Sequence, residues 1–75
     1  MKRNKLDICA EILRLSKGGA KKTHLVYQAN LNFKIIKRYL EDLLERKLLA
    51  FNDPHYVTTA KGKDYLTKYE ALKNL

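Results

Sequence analysis

Apolar side chains recur with a helical period through the first two thirds of the chain. Between residues 6 and 15 they occupy two sides of one helix, with Leu6, Cys9, Ala10 and Leu13 on the first and Ile8, Ile12 and Leu15 on the second. This spacing predicts a helix that is covered on more than one side, with Cys9 as a small core residue. Asn4 or an earlier residue is placed to cap it, and Gly18 or Gly19 supplies the left-handed residue that ends it near Ser16.

Two more helices are predicted after this break. Thr23 is a good cap for the short segment "HLVYQA", and the tripeptide Asn30-Leu31-Asn32 indicates a turn that buries its leucine. Asn32 then caps a third helix from Phe33 to about residue 46 or 47. The apolar side of that helix is formed by Phe33, Ile36, Leu40, Leu43 and Leu44, with Tyr39 at its margin.

The last third of the chain changes its pattern. Residues 48–51 are apolar, residues 52–55 carry turn chemistry and residues 56–58 suit a strand, which together predict a β-hairpin. Thr59 can cap a last helix over residues 61–73, although Gly62 weakens its first turn. The sequence therefore predicts one domain over residues 1–75 that is mostly α with a small β-hairpin: three helices, a two-stranded wing and a C-terminal helix.

The order of elements is that of a winged helix-turn-helix, in which a short turn precedes a third helix that is basic at its start. The segments "AKKTHLVYQANLNFKIIKRYLEDLLERKLL" and "YVTTAKGKDYL" resemble small archaeal winged-helix DNA-binding proteins, some of them chromatin-like, from about Lys5 to Leu72. The resemblance implies that the third helix faces the DNA major groove and that C-terminal helices pair as a coiled coil. Barely two heptads follow Gly62, so a long coiled coil is not expected.

The excess of positive charge indicates a polyanionic partner. Sixteen Lys and Arg stand against eight Asp and Glu, for a formal net charge of +8 in 75 residues. Such an excess makes association with a polyanion fast and sensitive to salt, and double-stranded DNA is the expected partner. A DNA-binding winged helix would act as a transcriptional regulator or as a nucleoid-type architectural protein, in the cytoplasm on the nucleoid.

The third helix carries the main candidates for DNA contact. Lys34, Lys37 and Arg38 lie in its first half, and the acids follow in the second, opposite to the order that the helix dipole prefers. Its N-terminal half should therefore enter the major groove, with Arg38 placed to bind a guanine. Asn32 can hold a phosphate through its side chain or the amides that it caps. Ile35 is left open between a thymine methyl contact and packing.

Other residues can reach the phosphate backbone beside this helix. The candidates are Lys21, Lys22, Thr23 and the Tyr27 hydroxyl around the second helix, and His55 with Asn52 at the hairpin tip for the minor groove. Lys2, Arg3 and Lys5 form a candidate basic arm. The alternative for each cation is a solvated surface charge, and for the other tyrosines it is packing in the core or an interface.

The last helix raises the question of a homodimer. Tyr65, Leu66, Tyr69 and Leu72 exceed what one face of a small core requires, so they are candidate dimer contacts in a helix at about residues 60–73. In the alternative they cover the second apolar side of the first helix. A non-catalytic protein-interaction or dimerisation module is the second functional hypothesis.

Catalytic, metal and membrane functions find no support in the sequence. No nucleophile has triad spacing, "KGG" is too short for a phosphate-binding loop, and one cysteine with two histidines offers no credible zinc site. No apolar run approaches the ~20 residues that a membrane helix needs. We therefore expect neither an enzyme nor a cofactor, small-molecule ligand or membrane partner.

Overall fold

The fold consists of four helices and one antiparallel hairpin. A computed structural model describes residues 3–75. The elements are α1 (Lys5–Leu15), α2 (Lys22–Gln28), α3 (Phe33–Glu45), β1 (Leu49–Asn52), β2 (His55–Thr58) and α4 (Ala60–Lys73). This order confirms the predicted fold class of three helices, a two-stranded wing and a C-terminal helix. Of the three residues of the candidate basic arm, Lys5 begins α1, Arg3 precedes its cap, and Lys2 lies outside the described residues.

The helix ends follow from their capping residues, with one exception. Asn4 accepts a hydrogen bond from the backbone N–H of Asp7 at 2.8 Å, as predicted for the start of α1. Asn32 caps α3 in the same way, and Thr59 caps α4. The prediction for Thr23 is wrong, because the N-cap is Lys21, two residues earlier, and it makes no side-chain capping bond.

One core joins all the elements. Its fully buried members include Ile12 and Leu13 of α1, Leu25 of α2, Ile36 and Leu43 of α3, and Leu66 of α4. Cys9 is 4% exposed and packs among them, as expected for a small core residue. Phe33 was expected on the core side of α3 but is 49% exposed, because it is the first residue of that helix and the buried stripe begins one turn later at Ile36.

The hairpin is attached to the helices by main-chain hydrogen bonds. Its strands pair from Leu49 with Thr58 to Asn52 with His55. Ala20, in the connection between α1 and α2, exchanges two backbone bonds of 2.8 and 2.9 Å with Tyr56 and so adds a third short strand segment. The buried Thr58 hydroxyl donates to the carbonyl of Leu13 at 2.6 Å. The wing is therefore held against α1 at a fixed angle.

The four residues that were expected to form a dimer contact differ in their exposure to solvent. Leu66 is 1% exposed and packs inside the core of its own chain, so it is not available to a partner. Tyr65 and Tyr69 are half-buried against the same core, which fits the alternative that α4 covers α1. Leu72 alone of the four is well exposed, at 71%. Within residues 3–75 no helix is both long enough and apolar enough to cross a bilayer.

Candidate functional site

The N-terminal half of α3 presents a basic surface to solvent. Asn32, Lys34, Lys37 and Arg38 are exposed, and Ile35 is 40% exposed at the edge of the buried stripe. Ile36 and Leu40, on the opposite side, are buried and fix the rotation of the helix. The acids Glu41, Asp42 and Glu45 are exposed further along. The charge reversal along α3 that the sequence predicted is thus displayed on the molecular surface.

The turn before α3 sets the position of this surface. Asn30 adopts a left-handed conformation with φ of 54°, which asparagine tolerates better than most residues. Leu31 is half-buried against the core and anchors the turn between two exposed asparagines. The Asn32 side-chain oxygen then accepts from the Ile35 backbone N–H at 2.8 Å. That oxygen is committed to the cap, which leaves the side-chain NH₂ of Asn32 as its free donor.

The candidate cations are free of carboxylate partners. Within the described part of the chain, the ion pairs involve Arg14, Arg46, Lys68 and Lys73. None involves the candidate cations, which are Lys21, Lys22, Lys34, Lys37 and Arg38. Even Asp42, one turn after Arg38 on α3, pairs with Arg46 at 3.3 Å instead. The positive charge of this surface is therefore not neutralised by the protein itself.

A shallow depression joins α2 to the wing. Its lining includes Lys21, Thr23 and Tyr27, three of the four predicted residues around α2, together with His55 of the wing. Tyr27 is 78% exposed there. Lys22 does not line the depression and is half-buried. The structure therefore brings contacts that the sequence assigned to separate elements into one place.

His24 lines the same depression and was missed from the sequence. Residues 21, 24 and 27 are spaced by three, so they lie along one outer side of the short helix α2. That spacing was visible in the sequence and places a histidine between two residues that were already candidates. Only the folded chain, however, brings His55 to the same depression from 31 positions further on.

A second groove runs between α1 and α3. It is lined by Lys5 of α1 and by Ile35, Arg38, Tyr39 and Asp42 of α3. Arg38 and Ile35 therefore share one concave surface, with a further cation facing it from α1. Arg3, just before α1, also donates from its guanidinium to the Asn30 carbonyl at 3.4 Å, so the start of the chain reaches the turn that precedes α3.

Comparison with known proteins gives the same architecture. Residues 2–75 match a family model described as winged helix-turn-helix. The uncharacterized protein MJ0290 of Methanocaldococcus jannaschii is 37% identical over 76 residues, which span all of this chain and 36% of that protein. The uncharacterized protein MJ0287 of the same organism is 31% identical over 96% of this chain and 76% of its own length. The chain thus spans little more than a third of the first of these relatives.

A solved structure agrees with both sequence comparisons. The crystal structure of Sso10a-2, a DNA-binding protein from Sulfolobus solfataricus, superposes with a TM-score of 0.82 at 26% sequence identity. The match covers 96% of this chain and 80% of that one. The resemblance to archaeal winged-helix proteins that the sequence motifs indicated is therefore confirmed.

Proposed function

The chain belongs to the winged helix-turn-helix family, and on that premise we propose that it binds double-stranded DNA through the N-terminal half of α3. The observation that carries this proposal is the set of exposed cations on α3 and just before α2 that no carboxylate of the described chain neutralises. Charges left in this state serve a polyanionic partner better than they serve folding, since they repel one another. The similarity to a protein described as DNA-binding supports the same conclusion.

In the proposed complex α3 enters the major groove by its first two turns. Arg38 binds a guanine with both arms of its guanidinium, a contact that discriminates between bases by ~1–3 kcal/mol. Ile35 meets a thymine methyl group, and the exposed ring of Phe33 offers a second apolar contact beside it. Lys34 and Lys37 neutralise phosphates at the groove edges. The acids from Glu41 onwards keep the C-terminal half of the helix away from the phosphate backbone.

The remaining contacts position the protein on the duplex. Lys21, Lys22, Thr23 and Tyr27 hold the phosphate backbone on one side of α3, and His55 brings the wing to the adjacent groove. Such contacts carry no base information by themselves but fix the register of the reading helix. Selection of binding sites from a random pool separates the two finer roles: enrichment of one motif supports a regulator, and no enrichment supports a nucleoid-type architectural protein.

A homodimer completes the proposal, and its apolar contact is formed by exposed residues at and just after the end of α4. Leu72 and Leu75 are 71% and 100% exposed, and they replace the buried Leu66 as the apolar contact. A twofold dimer presents two reading helices to half-sites about one DNA turn apart. Sedimentation equilibrium tests it: a concentration-dependent dimer that Leu72→Ser weakens supports it, and a monomer at every concentration contradicts it.

The DNA-binding surface is tested by a matched pair of triple variants. Replacing Lys34, Lys37 and Arg38 by Ala should abolish binding to a duplex while the far-ultraviolet circular dichroism stays that of the parent. Replacing Lys61, Lys63 and Lys68 of α4 by Ala removes the same charge from exposed positions of another helix. Because exposed charges away from the interface are screened by salt, we expect the control to keep its affinity within about threefold. Equal losses in both variants would contradict the assignment of α3.

A further inference from the structure

Both histidines of the chain line one depression. His24 lies on the outer side of α2 and His55 begins β2, and they share this surface with Lys21, Thr23 and Tyr27. Gly19, in the connection after α1, forms the floor, since a Cβ on it would lie 3.7 Å from the Cβ of His55. Its φ of +95° is a conformation that glycine adopts without strain. The wing and α2 therefore meet over a residue without a side chain.

The chemistry of this depression suits an anion. Its polar side chains are an ammonium, a hydroxyl, a phenol and two imidazoles, all of which can donate a hydrogen bond, and no carboxylate lines it. All five are exposed, so a group carried by a bulky polymer can reach them. A tetrahedral anion with several acceptor oxygens can use donors that converge from two sides. The side chains of the depression therefore suit a phosphate better than a cationic ligand.

We propose that this depression seats one phosphodiester group of bound DNA and that His24 and His55 become protonated as they bind it, so that acidification strengthens DNA binding. The proposal rests on the proposed function, because the phosphate comes from the duplex. The proposal goes beyond separate phosphate contacts by α2 and by the wing, because here α2 and the wing bind the same phosphate. The histidines then couple the affinity for DNA to pH within the physiological range, where histidine changes its charge.

The charges around the two imidazoles determine the direction of this coupling. From the start of α2 comes the cation Lys21, and Tyr27 adds a phenol. From the wing comes Asp53, in the turn two residues before His55. A phosphate in the depression favours the positively charged form of an imidazole beside it. Proton uptake therefore accompanies binding, and by linkage a lower pH must tighten the complex.

The experiment measures duplex affinity at about pH 6 and about pH 8 at fixed ionic strength, with the intact chain and with the double variant His24→Gln, His55→Gln. Glutamine keeps a hydrogen-bonding side chain but cannot become charged. For the parent we expect the dissociation constant to fall about tenfold between the higher and the lower pH, as a gained charge-assisted hydrogen bond implies. The double variant should lose most of this change, so that its dissociation constants at the two pH values differ by less than about twofold, whatever its absolute affinity.

Two further measurements distinguish one phosphate shared by both histidines from separate phosphate contacts by α2 and by the wing. Because both protonated histidines meet one phosphate, they should together steepen the salt dependence of log K by at most about 0.9 at the lower pH, in the parent only. The two single variants should also be non-additive, because both imidazoles act on the same phosphate.

The possible outcomes distinguish failure of the proposed phosphate site from failure of DNA binding itself. The proposed phosphate site is overturned if the parent binds DNA tightly but equally at both pH values. It is also overturned if the double variant keeps the full pH dependence. Either result leaves the proposed function standing. Additive single variants overturn the sharing of one phosphate. Absence of duplex binding at either pH overturns the proposed function and the proposed phosphate site together.

Discussion

Gly62 lies where the first turn of α4 crosses the end of the connection from α3. The residue is buried, and a Cβ added to it would lie 2.7 Å from the methyl group of Thr58 and well inside contact with the carbonyl oxygen of Leu48. That carbonyl also accepts the backbone N–H of Thr59 at 3.0 Å, so it cannot move away without breaking the cap region of α4. The close approach of α4 to the wing therefore requires glycine at this position.

A pair of glycine variants tests this requirement. Alanine in a helix is ordinarily favoured over glycine by ~1 kcal/mol, but here overpacking against main-chain atoms should reverse the sign and lower the free energy of unfolding by about 1–3 kcal/mol. Gly18→Ala is the control, since nothing lies within 4 Å of a Cβ there, and it should stay within about 0.5 kcal/mol of the parent. Urea denaturation measures both. Equal stability of Gly62→Ala and the parent would contradict the packing described for α4.

Single residues also show where sequence reasoning reaches its limit. Glycine at position 62 looked like a weakness of the last helix, because a helical pattern contains no information about what crosses it. Asn32 was placed correctly, since a cap depends on its own helix alone. Phe33 was misplaced because periodicity gives the direction of a side chain but not where along the helix the core begins.

At the scale of the element, α3 holds its charges against its own dipole. Its first turn contains no acid and its last turn no base, although the opposite arrangement would stabilise an isolated helix by ~0.3–1 kcal/mol for each charge. This arrangement makes α3 less stable than the opposite one, which is explained if its N-terminal cations are needed to bind a polyanion. Stability and DNA affinity should therefore respond in opposite directions to one substitution.

Lys34→Glu is that substitution. A carboxylate in the first turn of α3 should raise the free energy of unfolding by ~0.3–1 kcal/mol at low salt, and it should weaken duplex binding more than the neutral control Lys34→Gln. The two quantities come from thermal unfolding and a fluorescence titration on the same samples. A variant that loses stability and keeps its affinity would show that position 34 is a solvated charge rather than part of the DNA-binding surface.

The second and fourth helices show that the sequence of a single element does not predict its contacts with other elements. Four of the residues that line the α2–wing depression could be assigned to α2 or to its start in advance, because the residue types and spacing there are local. Their meeting with His55 depends on the backbone bridge between Ala20 and Tyr56, which links segments far apart in the chain. In α4 the apolar spacing was clear, but only packing shows that Leu66 serves its own core.

At the scale of the whole molecule, α1 and α4 are joined by a small ionic network. The Tyr69 hydroxyl donates to the Asp7 carboxylate, and the Lys73 ammonium lies 3.4 Å from the same oxygen. The hydrogen bond from Tyr69 is the main cause that lowers the pKa of Asp7 below its ordinary value of 3.8. Burial opposes it, and the backbone of Asn4 and the ammonium of Lys73 add smaller lowering effects. The same bond is the main cause that raises the pKa of Tyr69 to about 12.

These shifts predict a stability change at each end of the pH range. The ionised Asp7 is favoured by folding, so its contribution is complete above its unfolded pKa and is lost as the pH falls through the lower folded pKa. The neutral Tyr69 is favoured, so its contribution is lost as the pH rises from about 10 towards about 12. Thermal unfolding should show the Asp7→Asn variant less stable than the parent at neutral pH and equal to it in strong acid. A difference that persists in acid would contradict the network.

The fold and the site differ in how far the sequence determines them. Four helices and a hairpin follow from periodicity and caps, and the basic half of α3 follows from the order of its charges. The sequence could not show that the cations of α2 and α3 remain unpaired while Arg46 takes Asp42, since an ion pair depends on where side chains meet. That pairing leaves Arg38 without a carboxylate partner among the described residues.

The salt dependence of duplex binding tests the central claim most directly. A titration of random-sequence duplex at several salt concentrations, at constant pH, gives log K against log[salt]. About six phosphate contacts for each subunit should give a slope of about −5 per subunit. The α3 triple variant lacks the phosphate contacts of Lys34 and Lys37, so any residual binding should have a slope that is flatter by about 2. An affinity that does not change with salt, or no affinity for duplex even at low salt, would contradict the account.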